Sequence, residues 1–100
     1  MKAAASANGM EMARRGAAYL YREGAAKVWV FGSVAKGRRL DFRSDVDFAV
    51  EGFPSEKVLR AGAALERLLD FPVDLVELEG ASSGLRAQVL DYGILLPRED

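Results

Sequence analysis

The sequence predicts a single α/β (α+β) domain in which helices alternate with the strands of a four-stranded sheet. Three observations predict it. The chain has 100 residues, half of them hydrophobic and 29% charged, which suits a globular domain with one core. Apolar residues at helical spacing alternate with short runs rich in β-formers. Glycine and proline mark the boundaries between these segments and give the order α-β-β-α-β-α-β.

The first residues, Met1-Lys2-Ala3-Ala4-Ala5-Ser6-Ala7, carry one charge and small side chains. They lack the long apolar run of a secretory signal, so residues 1–8 read as a flexible tail before a domain over 9–100. Met10, Ala13, Ala17 and Leu20 recur at helical spacing from about Met10 to Glu23, with Gly24 at the expected C-terminal stop. Lys27 to Phe31 is short, apolar and β-rich, a strand buried on both faces.

Gly32 to Ser44 is polar, basic and glycine-containing, a loop with room for one helical turn. Asp45 to Glu51 alternates. Val46, Phe48 and Val50 share one face, while Asp45, Asp47, Ala49 and Glu51 share the other.

Pro54-Ser55-Glu56 opens a second helix, with Val58, Gly62, Leu65 and Leu69 as its stripe and Ala61 and Leu68 beside it. Pro72 to Leu78 is a third strand. Ser82 or Ser83 caps a third helix running to about Tyr92. Gly93 ends it, and Ile94-Leu95-Leu96 is a short final strand.

Composition removes several function classes. The chain has no cysteine and no histidine, which excludes disulfides, Cys/His zinc sites and Ser-His or Cys-His nucleophiles. A metal would need oxygen ligands, which favours magnesium, calcium or manganese. The net charge is −1, from 14 basic and 15 acidic residues, so direct nucleic-acid binding is not expected. No segment has the roughly 18 apolar residues of a membrane span, and a cytoplasmic location is expected.

The candidate chemistry lies in three places. Asp45 and Asp47 sit two apart on a strand and present two carboxylates to one small volume. Near a surface, two such charges about 4 Å apart repel by roughly 4 kcal/mol, a term that a divalent cation reverses. Upstream, the buried strand ends at Gly32-Ser33, where backbone N–H groups and a hydroxyl can bind phosphate oxygens. Lys36, Arg38, Arg39 and Arg43 fall between the two, a basic loop suited to a nucleoside triphosphate with its magnesium. The third place is Asp74, between Val73 and Leu75. An acid buried there is costly unless paired or metal-bound. Beside the Asp45-Asp47 strand it would complete a cluster of three carboxylates. Glu77 and Glu79, nearer the strand's end, are expected to be exposed.

The assembled string is Val30-Phe31-Gly32-Ser33-Val34-Ala35-Lys36-Gly37, then Ser44-Asp45-Val46-Asp47-Phe48-Ala49-Val50, then Asp74. It resembles the polymerase-β-like nucleotidyltransferase superfamily, and more narrowly its minimal nucleotidyltransferases. The spacer between Gly-Ser and Asp-x-Asp is eleven residues here, against the family's usual ten. The resemblance implies a mixed four-stranded sheet packed with helices. It implies that Asp45 and Asp47 bind Mg2+ carrying ATP, in a two-metal site that Asp74 joins. Asp74 would also help to deprotonate the attacking hydroxyl. Gly32 and Ser33 would hold the β- and γ-phosphates, with Lys36 or Arg38 assisting.

The resemblance also implies a partner. Minimal nucleotidyltransferases are often paired with a small helical HEPN-type protein, a toxin that the nucleotidyltransferase neutralises as antitoxin, in some pairs by adenylylating a tyrosine. A hetero-oligomer is therefore expected, and the short chain agrees because it leaves no room for a substrate domain. Two other readings stay open at this level. One is a non-enzymatic module that neutralises or scaffolds its partner by contact. The other is nucleotidyl transfer to a small molecule or an RNA end.

Overall fold

The computed structural model describes residues 8–41 and 43–99. The expected tail over residues 1–8 lies outside these except for Asn8. The Asn8 side chain accepts a hydrogen bond from the Glu11 N–H and so caps helix α1, Gly9–Arg22. At the other end, Gly24 has φ +118°. The Gly24 N–H donates to the Tyr21 carbonyl and the Ala25 N–H to the Leu20 carbonyl, a Schellman closure that turns the chain into β1.

Four strands form one mixed sheet: β1 (Lys27–Phe31), β2 (Val46–Glu51), β3 (Val73–Glu77) and β4 (Ile94–Leu96). Their order is β3-β2-β1-β4, which leaves β3 and β4 at the edges. β1 runs antiparallel to both β2 and β4, whereas β2 and β3 are parallel. A parallel pair needs a crossover. That crossover is a 3-10 turn at Ser55–Lys57 followed by α2, Val58–Leu69. Asp70 ends α2 in a left-handed conformation, φ 53°.

Helices α1 and α2 cover one face of the sheet. Val28, Val30, Val46, Phe48 and Val50 point into this core, where they meet Ala13, Ala17 and Leu20 of α1 and Ala61, Leu65 and Leu69 of α2. Each large side chain fully buried here contributes about 1.5–3 kcal/mol. Small residues on α1 let the helix sit low. A Cβ at Gly16 would collide with the Phe48 ring. Tyr21 ties the layers together. Its hydroxyl donates to the Leu96 carbonyl at 2.6 Å and accepts from the Val28 N–H at 3.1 Å. Leu68, placed beside the α2 stripe by periodicity, is instead exposed, while its carbonyl accepts a bond from Arg15 of α1.

The opposite face is not bare. Trp29, Phe31 and Ala49 project there and are covered by Leu78 and Val89. Leu78 lies on a 3-10 turn, Leu78–Gly80. Val89 belongs to the third helical segment, which differs from a plain helix. It begins as α3, Ser83–Ala87, with Ser82 as its cap, and widens into a π-helical turn at Gln88–Tyr92. The wider turn keeps Val89 fully buried against β1. Among the described residues, no helix is long and apolar enough to cross a membrane.

Candidate active site

The site starts where β1 stops. Phe31 is buried, and Gly32 takes φ +73°, a conformation that L side chains rarely adopt. The chain then makes a helix-like turn. Lys36 N–H donates to Gly32 O at 3.1 Å, Gly37 N–H to Val34 O at 3.0 Å, and Arg38 N–H to Ser33 O at 3.0 Å. Among the described residues, these backbone bonds use the later N–H groups and not those of Ser33, Val34 and Ala35. The start of the turn thus has the donor set of a helix N-terminus, which suits an anion. Val34 and Leu40 are buried and pin the loop to the core, while Lys36, Arg38 and Arg39 stay exposed.

A second small turn sets the entry to β2. The Asp41 carboxylate accepts from Arg43 N–H at 2.9 Å and from the Ser44 hydroxyl at 3.2 Å. The Ser44 hydroxyl oxygen in turn accepts from Asp41 N–H at 3.0 Å. The Arg43 N–H holds the Asp41 carboxyl below its ordinary range. Asp41 was not singled out from the sequence, yet the signal is there: an Asp three residues before a Ser, at a turn. Beyond this latch, Val46 N–H donates to Pro72 O at 2.9 Å, which clamps the start of β2 to β3.

Asp47 is the centre of the site. It is half-buried on β2, with Phe31 as its register partner on β1 and Asp74 as its register partner on β3. Paired residues of neighbouring strands project from the same face, so the Asp47 and Asp74 side chains share one side of the sheet. Burial, then Asp74, then Asp45 push the Asp47 carboxyl up to about 6. Gly32 is required beside it, because a Cβ there would run into the Asp47 carboxylate.

Four expectations need correction. Asp45 does not lie on the strand, because β2 begins at Val46; it is exposed just ahead of it. Asp74 is exposed rather than buried among apolar residues, since β3 is an edge strand and Val73 and Leu75 are only half-buried. Among the described residues, no three acids are close enough together to form a ready-made metal cage. Asp45 and Asp74 are free to turn towards water, and three like charges have reason to do so. Glu77, expected to be exposed, is half-buried and accepts a hydrogen bond from the Ser55 hydroxyl at 2.7 Å. Glu79 is exposed as expected and accepts from Gly52 N–H.

The donor chemistry nevertheless fits a hard divalent cation such as magnesium. The available ligands are carboxylate oxygens, and the burial and negative neighbours that raise the Asp47 carboxyl both disfavour a bare charge that a cation would neutralise. Two more residues join the site without having been picked out from the sequence. Gln88 and Tyr92 line, with Gly32 and Lys36, a cavity of about 330 Å³. They come from the π-helical turn, far away in sequence, and no local pattern announces them.

Comparison with known proteins agrees with this geometry. The family model "Polymerase beta, Nucleotidyltransferase" matches residues 17–100. A solved structure described as a minimal nucleotidyltransferase is 36% identical, with TM-score 0.71, covering 89% of this chain and 94% of that chain. A toxin–antitoxin complex with AMP-PNP contains a chain 28% identical, with TM-score 0.74, covering 87% of this chain and 74% of that one. A complex of a tri-AMPylated HEPN toxin with an MNT antitoxin from Shewanella oneidensis matches at 24% identity and TM-score 0.60, over 99% of this chain and 74% of that chain. At that identity the likeness speaks for the fold alone. No curated protein matches the chain significantly.

Proposed function

Since the chain belongs to the polymerase-β nucleotidyltransferase family and is a nucleotidyltransferase, we propose that it transfers AMP from ATP to a tyrosine of a small helical HEPN-type toxin, acting as the cytoplasmic antitoxin of that pair. The observation that carries the reading is the Asp47–Asp74 register beside Gly32, which gathers acid, acid and anion-binding turn at one end of the sheet. Support for the partner comes from the toxin–antitoxin complex with AMP-PNP, whose matched chain is 28% identical to this one.

In this reading the N–H groups at Ser33 and Val34 and the Ser33 hydroxyl hold the β- and γ-phosphates, with Lys36 and Arg38 at the rim. Asp45 and Asp47, joined by Asp74, are the residues that would hold magnesium, which supplies charge neutralisation for the triphosphate. The acceptor oxygen attacks the α-phosphorus. The bond from that phosphorus to the bridging oxygen of the β-phosphate breaks, and pyrophosphate leaves. The acceptor's proton passes to the Asp74 carboxylate, whose exposed position on the edge strand leaves room for an approaching side chain.

The test uses ATP labelled either at the α- or the γ-phosphate, magnesium, and a small helical HEPN-type partner. Label from the α-position alone is expected on the partner. Tight binding of the two proteins without any transfer of label would overturn the enzymatic reading and leave neutralisation by contact.

A further inference from the structure

We propose that the cavity between the Gly32 turn and the π-helical turn is a nucleobase subsite, in which Tyr92 stacks on an adenine and the Gln88 amide reads its edge. The inference rests on the nucleotidyltransferase reading and adds what that reading lacks, a reason for choosing one base.

Size comes first. A cavity of about 330 Å³ lies at the lower end of the range for small-molecule sites, roughly 300–1,000 Å³. It suits a base and not a whole nucleoside triphosphate. Position comes second. Gly32 and Lys36 form one wall, and the phosphate-binding turn begins at that same glycine. A ligand whose phosphates lie along the turn can therefore extend its other end to the cavity's remaining wall. That wall is Gln88 and Tyr92.

The chemistry of that wall is specific. Tyr92 is 73% exposed, a large ring kept in water that the core does not use. Base–aromatic stacking accepts any base, so the ring supplies affinity. Gln88 supplies choice. Its amide has one donor face and one acceptor face, matching the adenine N7 and N6–H₂ pair, whereas guanine offers two acceptors at that edge. Gln88 and Tyr92 are four residues apart on one turn of π-helix. Single π-turns frequently occur at functional sites. Two features hold the turn to the sheet: Val89 is fully buried, and Gly93 lies so close to the Val30 carbonyl that a Cβ there would stand 3.2 Å from that oxygen.

The experiment measures binding by fluorescence with ATP labelled on the ribose, so that the base stays intact. Inorganic tripolyphosphate with magnesium serves as the competitor that lacks a base. Gln88→Ala and Tyr92→Ala should each raise the Kd for ATP about tenfold, in line with the loss of one stacked or hydrogen-bonded base contact. Both should leave the tripolyphosphate Kd unchanged. Tyr92→Phe should keep the ATP affinity, and Gln88→Ala should narrow the gap between ATP and GTP. Both residues are exposed, so melting temperatures should match the wild type. Unchanged ATP affinity in both alanine variants, equal losses for ATP and tripolyphosphate, or no ATP binding by the wild type would each overturn the subsite. Binding differences as expected with no transfer to the partner would strike the proposed acceptor chemistry alone.

Discussion

Asp47 and Asp74 are register partners on parallel strands, and Asp47 is the acid whose proton affinity the fold raises most clearly. Burial is the largest cause, and the negative neighbours add to it. The pair joins the sheet topology to the chemistry, because the parallel β2–β3 pairing in this register places the two acids side by side.

The pH dependence follows from the sign of that shift. The Asp47 carboxyl is pushed up to about 6 in the folded protein, against its ordinary 3.8 in the unfolded chain. Between these values the folded state holds the proton and the unfolded state does not, so stability falls as pH rises. Asp41 and Glu79 shift the other way, each lowered chiefly by a backbone N–H, so their contributions are lost as pH falls. Comparing wild type with Asp47→Asn cancels those contributions. In metal-free buffer, the wild-type Tm relative to the variant should fall between about pH 4 and pH 6 and level off above. A constant difference would show that Asp47 carries no raised pKa.

Gly32→Ala should damage both fold and function. The φ of +73° disfavours any side chain, and the new Cβ meets the Asp47 carboxylate. Strain of this kind costs about 1–3 kcal/mol. A lower Tm together with lower nucleotidyl transfer is expected. Unchanged transfer would separate the glycine from the site.

Gly16→Ala sets two effects against each other. Replacing a helix-interior glycine by alanine gains up to about 1 kcal/mol of helix propensity. Pressing a methyl group into the Phe48 ring costs about 1–3 kcal/mol, because that ring is fully buried and has little room to move. A net loss of stability is expected in denaturant melts, and a gain would mean that α1 can lift away from the sheet.

Tyr21→Phe removes a hydroxyl that serves two buried backbone groups, Val28 N–H and Leu96 O. Leaving them unpaired should cost about 1–3 kcal/mol. Hydrogen exchange should rise at β1 and β4 before it does at α2. Uniform protection would show that water or a shift of β4 replaces the hydroxyl.

Much of this was legible in the sequence for identifiable reasons. β1 and β4 match their expected bounds because each is a compact apolar run, β1 closed by Gly32 and β4 set between Gly93 and Pro97. β2 shows the two-residue period, although Ala49 turned out to lie under a second cover rather than on an acidic face open to solvent. Asp74 stood out for a reason that failed. It is not buried, and what sets it apart in the structure is its pairing with Asp47, which composition and periodicity do not encode. Helical periodicity predicts a plain helix end where the π-helical turn lies, since the widening depends on Val89 finding a place against Trp29 and Phe31. Gln88 and Tyr92 were invisible for a similar reason. Their role depends on a cavity shared with Gly32 and Lys36, more than fifty residues earlier.

The most direct test of the central claim is the rate of pyrophosphate release when ATP, magnesium and the helical partner are mixed with wild type or with Asp47→Asn, at concentrations giving equal partner binding. Release by the wild type is expected, with a loss on the order of a hundredfold or more in the variant, since Asp47 is the centre of the proposed metal and phosphate site. Equal release by both proteins would contradict it.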